Sequence, residues 1–485
     1  MAALALKVKR KDLRVLVIRS QQISVIGVGE GSTAPLTTFL HGFLLADVKR
    51  LIAMAQPSWK LGIKFKWGPR PHFFYPFGPQ LDFRPTPLSR NIAFYCTGEM
   101  EDGTVDMAMM ARDRIFPRGP DGRPQLHFNM AYHIENEKFV TYLEAFARHA
   151  GVEIIDDTIK QVQEGEAGIG SLVLESGKTE TADLYIDCSG FRSLLLGHTL
   201  KEPFVSFKSS LFCERAVVGG WDRTIEPIHP YTSSEQMNSG WCWQIEHPTR
   251  INRGYVYCPD FISDEEAERE FRAQNPKIGP TRIVKFVSGR YERGWVKNVV
   301  AIGNASGFVE PLEATALAVI AVRSQLLSEV MTECGRDVPQ YQIDLYNRHH
   351  VRIWDSIRRF LALHYRFNLH PQTPFWKRCQ NETDLAGAEP FVEYYQRFGP
   401  SALWGPVLLD PVDPFGISGY LTVMVGQRAP FDASFSPPPA EREVWARFRS
   451  NNAQLAARAM TIPEVLAALG STEVQPPPMR TPVAV

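Results

Sequence analysis

Residues Asn298 to Ala316 read Asn-Val-Val-Ala-Ile-Gly-Asn-Ala-Ser-Gly-Phe-Val-Glu-Pro-Leu-Glu-Ala-Thr-Ala. The apolar run Val299 to Ile302 is typical of a buried strand, and the Gly303-Asn304-Ala305 sequence that follows is typical of a tight turn. Pro311 then opens an Ala-rich helix. In α/β proteins, a small-residue turn between a strand and a helix lets backbone N–H groups approach a bound cofactor. We therefore predict that Glu313, on the first turn of this helix, lies beside such a cofactor.

Composition excludes several classes of protein. The 485 residues include 53 Lys+Arg and 53 Asp+Glu, so no charge excess predicts a nucleic acid or an anionic membrane surface as partner. The seven cysteines form no CxxC pair, so neither a metal site nor a disulfide framework is predicted. Scattered thiols indicate a reducing cytoplasm. No run of about 18 apolar residues predicts a membrane span.

Two further segments carry a family resemblance together with the first. They are Gly62-Ile63-Lys64-Phe65-Lys66-Trp67 and Gly240-Trp241-Cys242-Trp243-Gln244-Ile245. Taken in order with Pro-Leu-Glu at Pro311 to Glu313, they resemble the flavin-dependent halogenases of the tryptophan halogenase type. The three segments occur in family order and are spread over about half of the chain, which makes the resemblance more specific than a lone glycine motif.

The resemblance implies an α/β fold and a flavin-dependent reaction. The fold would be an FAD-binding (glutathione-reductase-like) module with a parallel sheet, interleaved with an antiparallel-sheet and helical substrate module. The reaction would halogenate an electron-rich aromatic substrate such as an indole, tryptophan or a phenol. A separate flavin reductase would deliver FADH2, and a flavin hydroperoxide would convert chloride or bromide to hypohalous acid. Lys64 would hold that acid, and Glu313 would accept the ring proton.

The other site residues follow from the same resemblance, and a homodimer would be compatible with it. Expected cofactor contacts are Gly29, Glu30, Gly31, Ser32, Thr158, Ser189, Gly190, Asn304 and Leu317. Halide is expected at the backbone amides of Thr315 and Ala316, and the substrate is expected at Tyr75, Phe77, Trp241 and Trp243. The chain departs from the family pattern by Glu246 in place of a proline, and by Ala314 and Ala316 in place of Ser and Gly. Ala316 cannot adopt the positive φ of glycine cheaply.

The dinucleotide fold is expected to be incomplete at its start. The sequence contains no G-x-G-x-x-G, and Ala2 to Arg10 resembles the end of a helix. A buried strand is predicted at Leu13 to Ile18, and it ends without an acidic residue. A start codon assigned too late would account for this. The predicted FAD module comprises 1–48, 130–200 and 285–335; the substrate module comprises 49–129, 201–284 and 336–470; and 471–485 form a disordered tail.

Three local patterns add detail to these modules. Ile26 to Thr33 is predicted to form a glycine loop, in which Ser32 or Thr33 caps a helix that starts near Pro35. A helix is predicted at 136–150, and alternating strands between about 211 and 258 predict an antiparallel sheet.

Less specific interpretations stay open at this stage. Strand alternation would put Lys64 and Lys66 on one solvated face, and Glu313 or its neighbour Glu310 would only complement a helix dipole. Trp241 and Trp243 would be an aromatic core pair. A flavin-dependent aromatic monooxygenase would use the same cofactor without the lysine and the glutamate. A cofactor-free, inactive binding protein is the alternative from another class.

Overall fold

The computed structural model describes residues 1–23, 29–78, 81–127 and 129–470. The α-helices, in chain order, are α1 Ala2–Lys9, α2 Ala34–Thr37, α3 Val48–Ala55, α4 Ile92–Cys96, α5 Val105–Ala111, α6 Asn136–His149, α7 Asp264–Gln274, α8 Ala316–Cys334, α9 Gln340–Arg366, α10 Pro374–Glu382, α11 Glu389–Phe398, α12 Gly405–Leu408, α13 Gly416–Gly426, α14 Pro439–Ala457 and α15 Ile462–Gly470. The strands are β1 Leu16–Arg19, β2 Glu30–Gly31, β3 Ser58–Lys60, β4 Gly62–Lys66, β5 Phe73–Pro76, β6 Ala131–Ile134, β7 Glu153–Asp156, β8 Ile159–Gly165, β9 Gly168–Leu174, β10 Thr179–Glu180, β11 Tyr185–Asp187, β12 Phe204–Ser206, β13 Arg215–Asp222, β14 Tyr231–Met237, β15 Gly240–Glu246, β16 Arg250–Tyr257, β17 Arg282–Lys285, β18 Gly289–Tyr291, β19 Trp295–Val296, β20 Val299–Ala301 and β21 Gly307–Phe308. Short 3₁₀ or π-helical turns lie at Thr38–Phe43, Gly190–Arg192, Leu194–Thr199, Gly303–Ala305 and Pro311–Glu313.

The largest sheet has seven strands in the order β17-β13-β16-β15-β14-β4-β5. Its neighbouring strands are antiparallel, except that β4 and β14 run parallel. The antiparallel sheet predicted between about 211 and 258 is therefore confirmed. Along β4, Ile63 and Phe65 are fully buried, whereas Lys64 is half-buried and Lys66 exposed. This alternation assigns the two lysines to one face of the sheet and the two apolar side chains to the other.

The parallel part of the fold consists of two strand pairs, β1 with β7 and β11 with β20. Helix α1 packs on α8, which follows β20 in the chain. Small-residue turns follow both β11 and β20, and Gly190 and Gly303 have φ values of +69° and +68° in these turns. The two turns are joined, because the Ser193 hydroxyl donates to the Ala305 carbonyl at 2.8 Å. Both turns therefore lie at one edge of the parallel strands, where α/β folds bind ligands.

A three-stranded sheet in the order β2-β6-β3 brings distant segments together. Gly31 of β2 and Ser58 of β3 both pair with His133 in the central strand β6. Strand β6 thereby holds Gly31, which lies just before α2, in the same sheet as β3, whose last residue is Lys60. Thr33 is the N-cap of α2 as the sequence predicts, but its side chain makes no cap hydrogen bond.

The main apolar core runs through most of the chain. It includes Leu4 of α1, Trp59 of β3 and Phe360 of α9, so it draws on both of the predicted modules. The division into modules stays a prediction, and the predicted tail 471–485 lies outside the described residues. Among the helices described, none is long and apolar enough to cross a membrane.

Glu246, where the sequence departs from the family pattern, forms a buried ion pair with Arg223. Gln244 also donates to the Glu246 carboxylate, at 2.6 Å. We expect Glu246→Ala to lower the free energy of unfolding by about 3–5 kcal/mol, because it leaves the Arg223 guanidinium buried without its counter-ion. Urea unfolding checks this, with Glu382→Ala, which removes an exposed i,i+4 partner of Arg378, as the control. Equal losses in the two variants would contradict it.

Candidate active site

Glu313 lies in a 3₁₀ turn and not on the first turn of a helix as the sequence predicts. The turn spans Pro311–Glu313, and α8 begins three residues after the glutamate, at Ala316. Between them, Ala314 adopts the left-handed conformation with φ +53°. The position that needs a positive φ is therefore Ala314, whereas Ala316 is helical and carries no such strain. This backbone costs about 1 kcal/mol or more for an alanine.

The Glu313 carboxylate is buried and held by a histidine of α9. Its Oε1 lies 2.8 Å from Nε2 of His364, and both side chains are at most 1% exposed. The other oxygen, Oε2, has no hydrogen-bond partner among the described residues. Burial raises the pKa of Glu313, and the contact with His364 opposes that rise. A buried carboxylate with a raised pKa and a free oxygen is a candidate proton acceptor.

Lys60, at the end of β3, is the lysine whose pKa is affected by the charge of Glu313. It is fully buried, and burial lowers its pKa to about 7, with the charge of Glu313 acting in the opposite direction. Its Nζ donates to the Thr232 hydroxyl at 2.9 Å and lies 5.1 Å from the centre of the Phe77 ring. A Cβ on Gly31 would lie 3.1 Å from this Nζ and 3.3 Å from both Thr232 Oγ1 and Ala314 Cβ. Gly31, Lys60 and Ala314 therefore meet at one point.

A buried chain of hydrogen bonds continues from Lys60 into the protein. The Thr232 hydroxyl lies 2.9 Å from Nε2 of His133, and Nδ1 of His133 lies 3.2 Å from the Ser58 hydroxyl. Ser58 in turn donates to the backbone carbonyl of Glu246. A carbonyl oxygen only accepts, so every hydrogen bond of this chain is donated in the direction from Lys60 to Glu246. Burial holds the pKa of His133 well below its usual range, which suits a neutral ring that accepts from Thr232.

Lys64 lies on the other side of the large sheet. Its Nζ is 5.4 Å and 5.6 Å from the ring centres of Tyr231 and Phe74. Its neighbour Phe65 points to the opposite face, where its ring is 5.2 Å from that of His364. Glu313 is thus on the Phe65 side, away from Lys64. The geometry does not support the predicted pairing of Lys64 with Glu313, because successive side chains of a strand point to opposite faces.

The predicted glycine loop is described only from residue 29 onward, and its earlier residues 26–28 lie outside the described residues. Gly29 has φ +83°, and a Cβ there would lie 2.7 Å from the Asn252 amide nitrogen. Burial raises the pKa of Glu30 to about 7. The Ser32 hydroxyl donates to the Tyr132 carbonyl and accepts from its N–H, so this side chain anchors the loop to β6.

The remaining predicted cofactor contacts lie in three places. Ser189, Gly190 and Asn304 belong to the joined turns after β11 and β20, and the Ser189 hydroxyl donates to Asp187 at 2.6 Å. Asn304 lines a cavity of about 390 Å³ together with a group of aromatic side chains, namely Phe191, Phe204, Phe286, Tyr291 and Phe308. Thr158 lies between β7 and β8, and its hydroxyl donates at 2.8 Å to that of Ser20, which follows β1. Leu317 is half-buried on the first turn of α8.

The predicted halide residues Thr315 and Ala316 start α8. Thr315 is the N-cap residue and makes no side-chain cap bond, and Ala316 is half-buried. The first backbone N–H groups of an α-helix have no partner within the helix, and they favour an anion. These two residues directly follow Ala314, which faces Lys60 across Gly31.

The predicted substrate residues are aromatic groups in the core around this point. Tyr75 is buried 5.7 Å from the Phe360 ring, and Phe77 faces Lys60 as described above. Trp241 and Trp243 lie with ring centres 6.0 Å apart, as predicted for residues on one side of a strand. Both indoles are buried in the main core, so the aromatic core interpretation holds for them.

Glu310 occupies a second buried position close to Trp241. Tyr365 donates to its Oε1, and its other oxygen, Oε2, has no hydrogen-bond partner among the described residues. Burial raises the pKa of Glu310 to about 7. The consecutive residues His364 and Tyr365 of α9 therefore contact Glu313 and Glu310, respectively.

Sequence reasoning missed Lys60, Thr232, His133 and His364. The only signal for Lys60 was that a second lysine stood four residues before Lys64. No pattern marked the other three residues, which reach the site from β14, β6 and α9. Among the described residues, no group of three or more His, Cys, Asp or Glu side chains is arranged to hold a metal ion.

Known proteins resemble this chain over most of its length. The family described as tryptophan halogenase matches residues 1–435. Tryptophan 7-halogenase RebH of Lentzea aerocolonigenes is 31% identical over 414 residues, which are 79% of this chain and 76% of RebH. The solved structure of MibH, a lathipeptide tryptophan 5-halogenase, superimposes with a TM-score of 0.88 at 34% identity, covering 97% of this chain and 91% of MibH.

A second solved structure gives the same result. Tar14, a tryptophan C-6 flavin-dependent halogenase (chlorinase) from taromycin biosynthesis, superimposes with a TM-score of 0.86 at 26% identity, covering 97% of both chains. The predicted α/β fold class is confirmed by these structures. With a family match over nine tenths of the sequence, the chain belongs to the tryptophan halogenase family and is a flavin-dependent halogenase.

Proposed function

We propose that this enzyme halogenates an aromatic carbon between Lys60 and Glu313. The observation that carries this proposal is the convergence of a buried lysine with a pKa near 7 and a buried carboxylate with one unpartnered oxygen. Both groups lie at positions where their proton affinity is set by burial and by each other, as is typical of acid–base sites. Lys60 takes the role that the sequence assigned to Lys64.

The residues divide the chemistry between them. Reduced FAD, once bound, would supply hypohalous acid from oxygen and a halide ion. The Lys60 ammonium donates a hydrogen bond to that acid and holds its halogen toward the substrate ring. Thr232 and His133 fix the Lys60 amine through their hydrogen bonds. The carboxylate Oε2 of Glu313 stabilises the cationic ring and accepts its proton.

The residues present fit a flavin. Gly190 and Gly303 turn with positive φ at one edge of the parallel strands, and no atom lies within 4 Å of a Cβ built on Gly190. Asn304 opens into the aromatic cavity described above. We assign FAD to this edge, and the loop at Gly29 to Ser32, which approaches Lys60, would also help to hold it. The backbone amides of Thr315 and Ala316 would bind the halide.

The substrate is proposed to be an electron-rich aromatic ring, with tryptophan and tryptophan-containing peptides as the first candidates. RebH and Tar14 are named as tryptophan halogenases, and MibH as a lathipeptide halogenase. The rings of Tyr75 and Phe77 would stack on the substrate. A separate flavin reductase would supply the reduced cofactor.

Reconstitution tests this proposal. The purified 485-residue chain is first titrated with FAD while the quenching of flavin fluorescence is followed. It is then incubated with a flavin reductase, NADH, FAD, oxygen and chloride or bromide. A panel of tryptophan, indoles, phenols and tryptophan-containing peptides serves as substrate, and mass spectrometry detects the product. We expect saturable FAD binding and a halogen isotope pattern on at least one substrate.

A hydroxylated product without halogen, formed in the presence of halide, would instead identify an aromatic monooxygenase. Tight FAD binding without any product across the panel would contradict the proposed substrate class. Absence of FAD binding would contradict the cofactor assignment for this chain.

A further inference from the structure

His364 is the buried group next to the proposed base for which the mechanism above has no role. It lies in α9, and its ring packs against Phe65 at 5.2 Å and Phe360 at 5.0 Å between ring centres. Its two ring nitrogens each have one partner, Nε2 with Glu313 and Nδ1 with the backbone carbonyl of Phe360 at 3.0 Å. The ring is therefore fixed at both ends.

These two partners determine where the protons lie. A carbonyl oxygen only accepts, so Nδ1 must carry the proton that it donates to Phe360. A neutral ring with a proton on Nδ1 has none on Nε2. The 2.8 Å contact between Nε2 and Oε1 of Glu313 then requires one proton on that axis. This proton lies either on the histidine, beside a carboxylate, or on Oε1, beside a neutral ring.

In both arrangements the other oxygen of Glu313 carries no proton. Burial alone favours the protonated form of Glu313, and a lone buried carboxyl could carry its proton on either oxygen. Oε2 has no partner among the described residues, so nothing but the histidine directs the proton away from it. A base that already carries a proton on its reacting atom cannot accept another.

We propose that His364 is a positioning residue that keeps Oε2 of Glu313 free of protons by holding the pair's one proton on the Nε2–Oε1 hydrogen bond. The inference rests on the proposed role of Glu313. In the last step of halogenation the ring C–H bond breaks and its electron pair returns to the ring. The proton forms a bond to Oε2, which this arrangement keeps available.

Two variants of His364 separate this role from packing. His364→Phe fills the aromatic surroundings but makes no hydrogen bond to Glu313. His364→Gln keeps an amide that can donate its N–H to an ionised Oε1 or accept, through its oxygen, from a protonated Oε1. We expect His364→Phe to lower kcat by about 10²-fold with little change in KM, and His364→Gln to lose less than about tenfold. FAD affinity and the thermal midpoint are measured for both variants to show that the fold is intact.

A substrate deuterated at the halogenated carbon reports on the proton step itself. We expect the isotope effect on kcat to be larger in His364→Phe than in the wild-type enzyme, because loss of the ring proton becomes slower. A packing role would not change this effect. An unchanged isotope effect together with a lower kcat, or a kcat within about twofold of wild type, would overturn the proposal.

The shared proton can also be observed without substrate or turnover. We expect a proton resonance downfield of the backbone amides in the NMR spectrum of the ligand-free chain, and its loss in both His364→Gln and Glu313→Gln. Its absence from the wild-type spectrum would overturn the shared proton. Absence of any halogenated product with this resonance present would instead count against the proposed function.

Discussion

Lys60→Met is expected to lower kcat for halogenation by about 10²–10⁴-fold, the range for loss of a group that handles the reacting atoms. Methionine is close to lysine in length and apolar, so it suits the buried position while removing the Nζ that holds hypohalous acid. Lys64→Met is the matched control, because the same change is made on the opposite face of the sheet. We expect kcat within about twofold of wild type for that control.

The reaction step that fails in Lys60→Met is as informative as the size of the decrease in kcat. Oxidation of reduced flavin by oxygen should continue in Lys60→Met, with peroxide or free hypohalous acid replacing the halogenated product. Mass spectrometry and a peroxide assay on the same samples measure this partition. If Lys64→Met loses halogenation and Lys60→Met retains it, the original prediction from the sequence is right and the assignment made from the structure is wrong.

The same substitution has a signature in stability that does not depend on turnover. Burial lowers the pKa of Lys60 to about 7, from 10.5 in an exposed lysine. Between these two values the unfolded chain binds a proton that the folded chain does not, so this group makes stability rise with pH. Lys60→Met should remove that slope. Its stability relative to wild type is then expected to fall as pH rises from 7 toward 10.

Much of the fold could be predicted because it follows from local patterns. The predicted helix at 136–150 is α6, Asn136–His149, and the apolar run from Val299 is β20. Hydrophobic periodicity and small-residue turns act within a few residues, so a single sequence carries them. The strand predicted at Leu13 to Ile18 is shorter, Leu16–Arg19, and half-buried. Element ends depend on hydrogen-bond partners elsewhere in the chain.

The choice between Lys60 and Lys64 could not be made locally. The two residues are four apart and belong to different sheets, β3 pairing with β6 and β4 pairing with β14 and β5. Which face each side chain shares with Glu313 depends on these long-range registers. A local alternation pattern fixes only that Lys64 and Phe65 oppose each other.

The backbone conformation around Glu313 is a second feature that tertiary contacts determine against local sequence preference. Sequence preference places a positive φ at a glycine, and the family pattern suggested position 316 for it. The structure puts the left-handed residue at Ala314, where the small side chain fits against Gly31. The histidine that holds Glu313 comes from α9, 51 positions later in the chain. No spacing rule connects residues at that separation.

Glu313→Gln is expected to lower kcat by about 10²–10⁴-fold with little change in KM. The amide fills the same volume and can still hydrogen-bond to His364, but it cannot take the ring proton. Formation of hypohalous acid should be unaffected, because this step precedes attack on the ring. Steady-state kinetics combined with trapping of free hypohalous acid measures both effects.

Glu310→Gln is the matched control for this prediction. Glu310 is also buried and also contacts α9, but its partner there is the Tyr365 hydroxyl, and the charge that acts on Lys60 is that of Glu313. We expect Glu310→Gln to keep kcat within about tenfold of wild type, since a glutamine oxygen still accepts from the tyrosine. Equal losses in both variants would mean that the two glutamates act together on the proton. A larger decrease in kcat for Glu310→Gln would identify Glu310 as the base instead of Glu313. It would also overturn the role proposed for His364.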